Sequence, residues 1–281
     1  MRIKLAHSPD SDDAFMFYAI LNKKIDLKNY EFENNLADIE TLNKCALEEI
    51  YDLTAVSYNA YTKVHNKYQI LKAGSSIGYG YGPILICRKG DDIEEIKRLI
   101  SLAKLKVLSP GELTSAHLTL QLAFPQADFR IEKFNKIKDL ILNGTERVGL
   151  IIHETQVTFE DDNLEKVLDL GEWWSKETNG LVLPLGVNII KRSLTTEVKK
   201  DLSEILKKSI EYSLNNEDKA LEFASNYASG LDLIKLKRFV SMYVNHKTLN
   251  LEELEIKSIQ EFYKRAFSLQ LIKEIPELDI I

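Results

Sequence analysis

Apolar residues in the first sixty positions alternate between short runs typical of strands and longer runs typical of helices. Residues 2–6 predict a strand, and the apolar run in DDAFMFYAILNKK predicts a mostly buried helix. YEFENNLA and YDLTAVSY predict two further strands on either side of a helix, DIETLNKCALEEI. Asp38 is expected to cap that helix, with Glu40 in its first turn. This alternation predicts an α/β lobe with a mostly parallel sheet flanked by helices.

A second α/β series follows the glycine-rich segment QILKAGSSIGYGYGPILIC. KLKVLSP, FRIEKF and RVGLIIHE predict strands, and TSAHLTLQLAF and NKIKDLILNG predict helices. LEKVLDLGEWW and LVLPLGVNII predict two more strands. Beyond Thr195 the pattern is helical, with two apolar faces formed by Leu202, Ile205, Leu206 and Ile210, and by Ile256, Ile259, Phe262 and Phe267.

The order of these elements predicts two α/β lobes. Residues 1–88 together with 188–281 are expected to form a first, discontinuous lobe, which the helical tail completes, and residues 89–187 an inserted second lobe. The chain is expected to cross between lobes near residues 84–92 and 184–190. Ligands of open α/β sheets bind beyond the carboxyl ends of strands, which predicts a ligand cleft between the lobes.

Composition excludes several classes of protein. The 281 residues carry a net charge of −6 with both signs interspersed, which does not favour nucleic-acid binding. The start, MRIKLAHSPDSDD, lacks the apolar stretch of a signal peptide, and no apolar run is long enough to span a membrane, so we expect a cytoplasmic protein without a membrane partner. Cys45 and Cys87 lie in apolar patterns and are expected to be reduced thiols.

Polar residues at the predicted strand ends are the candidate site residues. Asp13 lies directly before a helix, where capping is an equally good reading for the neighbouring Asp10 and Asp12. Ser57 ends the strand LTAVS, and only this position at a strand end makes it a candidate site residue. Thr114 and Ser115 begin a helix, as either a simple cap or an anion or polyol site.

His153 follows the buried run GLII, and a histidine there can be structural, a metal ligand or a base. No histidine pair has metal-ligand spacing, which argues against zinc. Histidine side chains ordinarily titrate near neutral pH, which suits the removal of a proton from a substrate. His7 lies in the first strand-end loop and remains an alternative. Trp173 and Trp174 fit either ligand stacking or core filling.

Seven segments in this order resemble the 1,4-dihydroxy-6-naphthoate synthase family of the futalosine route to menaquinone. They are SPDSDDAFMFYA, DIETLNKCALE, LTAVSYNAY, GYGYGP, SPGELTSA, GLIIHE and LDLGEWW with LPLG, covering residues 2 to about 190. One departure is visible, because SPDSDDA stands where that family has a pattern like SPCPNDT.

The resemblance implies a two-lobed periplasmic-binding-protein-like type II fold and a lyase without a cofactor. Its substrate would be cyclic dehypoxanthine futalosine, a small molecule, and a homodimer is one option. By resemblance, His153 is the general base, and the substrate contacts are Ala55, Val56, Ser57, Thr114, Ser115 and Asp13.

Two alternatives stay open. One is chorismate dehydratase of the same pathway, since a shared fold does not fix the reaction. The other is a solute-binding protein without catalysis, against which the missing signal peptide argues. A ligand-sensing domain of a regulator would need an attached DNA-binding module.

Overall fold

The structure is a computed structural model that describes residues 1–228 and 230–281. The chain forms two compact units. The first comprises Met1–Ile77, Gly186–Glu253 and Pro276–Ile281, and the second comprises Gly78–Leu185 and Leu254–Ile275. None of the described helices combines the length and apolar character needed to cross a bilayer.

The strands of the described residues are short and mostly buried. In chain order they are β1 (Arg2–His7), β2 (Glu31–Leu36), β3 (Leu53–Ser57), β4 (Tyr68–Ile70), β5 (Ser76–Gly78), β6 (Ile84–Arg88), β7 (Lys106–Ser109), β8 (Asp128–Ile131), β9 (Gly149–Ile151), β10 (Leu164–Asp169) and β11 (Leu183–Lys191).

The helices follow the strands through residue 177 and then dominate the C-terminal third. They are α1 (Ser11–Leu21), α2 (Ile39–Leu47), α3 (Tyr58–Val64), α4 (Ile93–Ser101), α5 (Ser115–Ala123), α6 (Phe134–Leu142), α7 (Leu170–Glu177), α8 (Thr196–Asn215), α9 (Glu217–Ser225), α10 (Leu233–Tyr243) and α11 (Glu253–Ser268). Short 3-10 helices cover His153–Val157, Phe159–Asp162 and His246–Leu249.

The first sheet has the strand order β2-β1-β3-β11-β4, and β5 also pairs with β11. β1 runs parallel to both β2 and β3, so the carboxyl ends of these three strands lie at one edge. β11 runs antiparallel to β3 and β4. Helix α1 packs on this sheet with α8 and α9, and apolar residues of all three belong to one buried cluster.

The second sheet has the strand order β10-β6-β9-β7-β8. β7 runs parallel to β8 and β9, whereas β6 is antiparallel to both β9 and β10. Both sheets are therefore mixed, with parallel strands in the β/α series and antiparallel pairs involving strands that adjoin the two chain crossings.

Three details differ from the sequence-based expectations. The segment GEWW is not strand but part of α7, because Asp169 ends β10 and caps the new helix by accepting from the Gly171 and Glu172 N–H groups. β9 ends at Ile151, so His153 begins a 3-10 helix. Phe267 is 46% exposed, because the buried face of α11 turns through Phe262, Tyr263 and Ala266 instead.

Most of α11 lies in the second unit, whereas the sequence assigned the whole tail to the first lobe. Its packing explains this. Phe262 meets the Trp174 ring edge-on at 5.6 Å between centroids, and Arg265 lies 5.3 Å over the same ring. Ser258 accepts a hydrogen bond from the Val182 N–H at 3.2 Å. The first crossing also comes earlier than expected, at residues 77 and 78.

Candidate active site

The corner between β1 and α1 buries a histidine against a carboxylate. The Ser8 N–H donates to Asp13 Oδ2 at 2.8 Å, so this carboxylate holds its own turn. His7 is 0% exposed and stacks on Phe17 with centroids 4.7 Å apart. Its Nδ1 lies 2.7 Å from the Ser8 carbonyl, which accepts only, so Nδ1 carries a proton.

Burial sets the protonation of this pair. It lowers the pKa of His7 and raises the pKa of Asp13, and the mutual attraction of their charges opposes both shifts. The neighbouring Asp10 and the side chain of Asn34 favour the charged imidazole. A contact between Asp13 and a substrate stays a prediction.

The corner between β3 and α3 places Ser57 at the carboxyl end of a buried strand, at the same sheet edge as the Ser8–Asp13 turn. Its N–H donates to Asn43 Oδ1 at 2.8 Å, and Asn43 Nδ2 donates to Ser57 Oγ at 3.1 Å. Ala55 and Val56 are also buried, and Ala55 packs with Ala6 and Leu42. The side chain of Ser57 therefore bonds to α2 and not to its own helix.

The corner between β7 and α5 uses its hydroxyl groups differently. Thr114 caps α5 by accepting from the His117 N–H at 3.1 Å, and Thr114 Oγ1 donates to the Gly111 carbonyl at 2.8 Å. Ser115 Oγ donates to the Leu185 carbonyl at 2.6 Å. Ser109 Oγ lies 2.9 Å from His117 Nδ1, and burial lowers the pKa of that imidazole.

His153 lies just beyond β9, at the sheet edge where parallel β7 also ends. Its ring meets Phe134 edge-on, with centroids 5.0 Å apart. Its φ is +58°, in the left-handed region. The other left-handed non-glycine residues of the described chain mostly follow helix ends, whereas His153 follows a strand. A histidine in this conformation stores strain, which is typical of functional positions.

The structure distributes the predicted site residues over both units. Asp13 and Ala55 to Ser57 belong to the first, and Thr114, Ser115 and His153 to the second. Trp174 is 0% exposed and donates from Nε1 to the Val182 carbonyl at 2.9 Å, so it is a core residue. Among the described residues no group of three His, Cys, Asp or Glu side chains could hold a metal ion.

Sequence reasoning missed Asn43. This residue shares the buried face of α2 with Leu42 and Ala46, and a polar residue on an apolar helix face was the available signal.

The family model and the curated relatives point to one family. The family model described as menaquinone biosynthesis matches residues 3–268. A curated 1,4-dihydroxy-6-naphtoate synthase of Thermus thermophilus is 32% identical over 265 residues, covering 94% of this chain and 93% of the relative. Protein AF1704 from Archaeoglobus fulgidus superposes with a TM-score of 0.89 at 40% identity, covering 96% and 98% of the two chains.

More distant structures show the fold. The alkanesulfonate-binding protein SsuA from Xanthomonas axonopodis pv. citri has a TM-score of 0.74 at 9% identity, covering 100% of this chain and 98% of SsuA. The predicted periplasmic-binding-protein-like fold is thereby confirmed.

Proposed function

The chain belongs to the menaquinone biosynthesis family, and we propose that it acts there as a 1,4-dihydroxy-6-naphthoate synthase. In this proposal it is a lyase that converts cyclic dehypoxanthine futalosine to 1,4-dihydroxy-6-naphthoate. The name of the Thermus relative supports the reaction, since the match spans nearly all of both proteins. The futalosine substrate itself is inferred from the sequence motifs.

We propose that His153 is the general base of this reaction. The observation that carries the assignment is its left-handed backbone, with φ +58°, directly after the buried strand β9. A left-handed non-glycine residue costs about 1–2 kcal/mol, and such a cost is typical of functional sites. An imidazole is the side chain best suited to removing a proton near neutral pH.

The substrate contacts follow from the hydrogen bonds of each corner. We assign Ser57, with the backbone of Ala55 and Val56, to polar groups of the substrate. At the β7–α5 corner the hydroxyls of Thr114 and Ser115 already donate to carbonyl oxygens. We therefore assign the contact there to backbone N–H groups in the first turn of α5, where a helix N-terminus favours anions. We also assign Asp13, in the turn between β1 and α1, as a substrate contact.

These groups match what the chemistry requires. Releasing an aromatic naphthoate needs a proton removed, a carbon–carbon bond broken and the developing negative charge on oxygen stabilised by N–H and O–H donors. In this proposal His153 removes the proton, and the β3–α3 and β7–α5 corners supply the hydrogen-bond donors. A cytoplasmic location and a homodimer belong to the same proposal, and light scattering of the purified protein would test the second.

Incubation of the purified protein with cyclic dehypoxanthine futalosine tests the proposal, with the naphthoate detected by mass spectrometry. A parallel incubation with chorismate tests the alternative dehydratase. Naphthoate formation is the expected result. Conversion of chorismate alone would assign the chain to the sister reaction, and tight binding of the futalosine derivative without conversion would favour a solute-binding protein.

A further inference from the structure

We infer that Asn43 is a positioning residue that makes the Ser57 hydroxyl a hydrogen-bond donor for a carboxylate or carbonyl oxygen of the ligand. The inference rests on the proposed function and adds a residue that the resemblance did not supply. It follows from two hydrogen bonds between these residues: the Ser57 backbone N–H donates to Asn43 Oδ1 at 2.8 Å, and Asn43 Nδ2 donates to Ser57 Oγ at 3.1 Å.

The orientation of the Asn43 amide is fixed by a group that can only donate. The backbone N–H of Ser57 lies 2.8 Å from one amide atom, so that atom must be the oxygen Oδ1. The nitrogen Nδ2 then faces Ser57 Oγ. Because an amide nitrogen only donates, Ser57 Oγ accepts this bond.

The Ser57 hydroxyl proton must consequently be donated elsewhere. No described residue accepts it, although Ser57 is only 3% exposed. Buried donors are normally paired, so an unpaired one at a strand end predicts an acceptor supplied from outside the chain. The matching ligand group is an acceptor oxygen, and a ligand hydroxyl or ammonium group offered as a donor is disfavoured.

The fold holds the amide firmly. Asp38 caps α2 by accepting from the Thr41 N–H at 3.1 Å, which fixes the start of the helix. Leu42, next to Asn43, packs with Ala6 and Ala55 of the first sheet. Asn43 itself is 0% exposed. Burying its polar amide costs free energy that an apolar side chain would not cost, and its two hydrogen bonds to Ser57 offset that cost.

The substitution Asn43→Asp reverses the polarity of this arrangement. One carboxylate oxygen can still accept from the Ser57 N–H, but the other can no longer donate and would accept the hydroxyl proton. At about pH 8 we expect the KM for cyclic dehypoxanthine futalosine to rise about 10- to 100-fold, with kcat little changed. At about pH 5 the introduced carboxyl, protonated because it is buried, can donate again, and KM should return toward the wild-type value.

A partly unfolded variant would lower the apparent kcat and would not raise KM, so KM measured together with melting curves at both pH values separates positioning from structure. Asn216→Asp is the matched control, because among the described residues the Asn216 Nδ2 bonds only the Tyr212 carbonyl at the end of α8. Its KM should follow that of the wild type at both pH values. If Asn43→Asp does not fold near pH 8, Asn43→Ala replaces it, and its KM should rise in the wild-type background but not on top of Ser57→Ala.

Four results would be decisive. A folded Asn43→Asp variant with wild-type KM at about pH 8, or with a KM raised equally at both pH values, overturns the inference and leaves the synthase proposal standing. If Asn43→Ala is needed, an equal rise in KM with and without Ser57→Ala also overturns it. A wild-type protein that forms no naphthoate overturns the synthase proposal, and the inference falls with it.

Discussion

The β3–α3 corner and the β7–α5 corner share one backbone geometry but use their hydroxyl groups in opposite ways. Ser57 has φ −74° and ψ 147°, and Thr114 has φ −75° and ψ 147°, and both are N-cap residues. Thr114 accepts from the third N–H group of its own helix and donates to Gly111. Ser57 makes no such cap and is bound by Asn43.

The difference shows that the position of a hydroxyl at a strand–helix corner does not by itself tell whether the hydroxyl binds a ligand. Both hydroxyls accept a hydrogen bond, and what decides whether the proton is available is whether an oxygen within the fold accepts it. At Thr114 the proton is used within the loop, so that side chain stabilises α5. At Ser57 a neighbouring helix supplies the donor, which leaves the proton for a ligand.

The β10–α7 corner extends the comparison to a helix capped by a carboxylate, Asp169. We expect the ionisation of this cap to have the largest effect on the free energy of unfolding. Asp169 joins β10 to α7, is 6% exposed, and burial raises its pKa from 3.8 to about 6. Because the folded-state pKa is the higher one, the stability this carboxyl contributes is fully present below about pH 4 and is lost as the pH rises through about 6.

Relative to Asp169→Asn, which keeps a capping oxygen, the wild type should therefore lose up to about 3 kcal/mol of unfolding free energy between about pH 3 and pH 7. Denaturant unfolding of both proteins across this range measures the difference. Parallel stability curves would show that ionisation of this cap carries no cost.

Ser57→Ala is expected to have the next largest effect, on binding. Removing the donor should raise KM about 10- to 100-fold while kcat changes little. Steady-state kinetics with cyclic dehypoxanthine futalosine measure this. Ser209→Ala is the matched control, because Ser209 Oγ donates to the Met16 carbonyl within the same unit. That variant should lose stability and keep its KM.

Thr114→Ala should have the smallest effect, and mainly on stability. Loss of the cap and of the bond to Gly111 should lower the free energy of unfolding by about 1–2 kcal/mol. Thr114→Ser keeps the hydroxyl and should restore most of it. If Thr114→Ala instead raised KM more than Ser57→Ala does, the contrast between the two corners would be wrong.

Local sequence signals predicted most of the elements, because strand and helix periodicities are strong in this chain. The Asp38 cap and the buried face of α8 through Leu202 and Ile210 are confirmed. The aromatic run GEWW was misread, since a short apolar run fits a strand or a helix equally well. Asp169 followed by Glu172 was the overlooked helix-start signal.

The remaining features depend on partners distant in sequence. The side chain of Ser115 bonds Leu185, and α11 packs on Trp174, and neither contact has a local signature. The same holds for the hydroxyl of Ser57, whose direction is set by Asn43 on another helix. Sequence position identified candidate residues, while their hydrogen-bonding roles required the tertiary structure.

The central claim, that this chain is a synthase with His153 as its base, is tested most directly by the turnover of His153→Asn. Asparagine tolerates the left-handed backbone, so this change removes the basic group with little strain. Alongside the exposed control His246→Asn, we expect kcat for naphthoate formation to fall about 10²- to 10⁴-fold, with KM and melting temperature nearly unchanged. A folded His153→Asn variant that turns over at the wild-type rate would contradict the account.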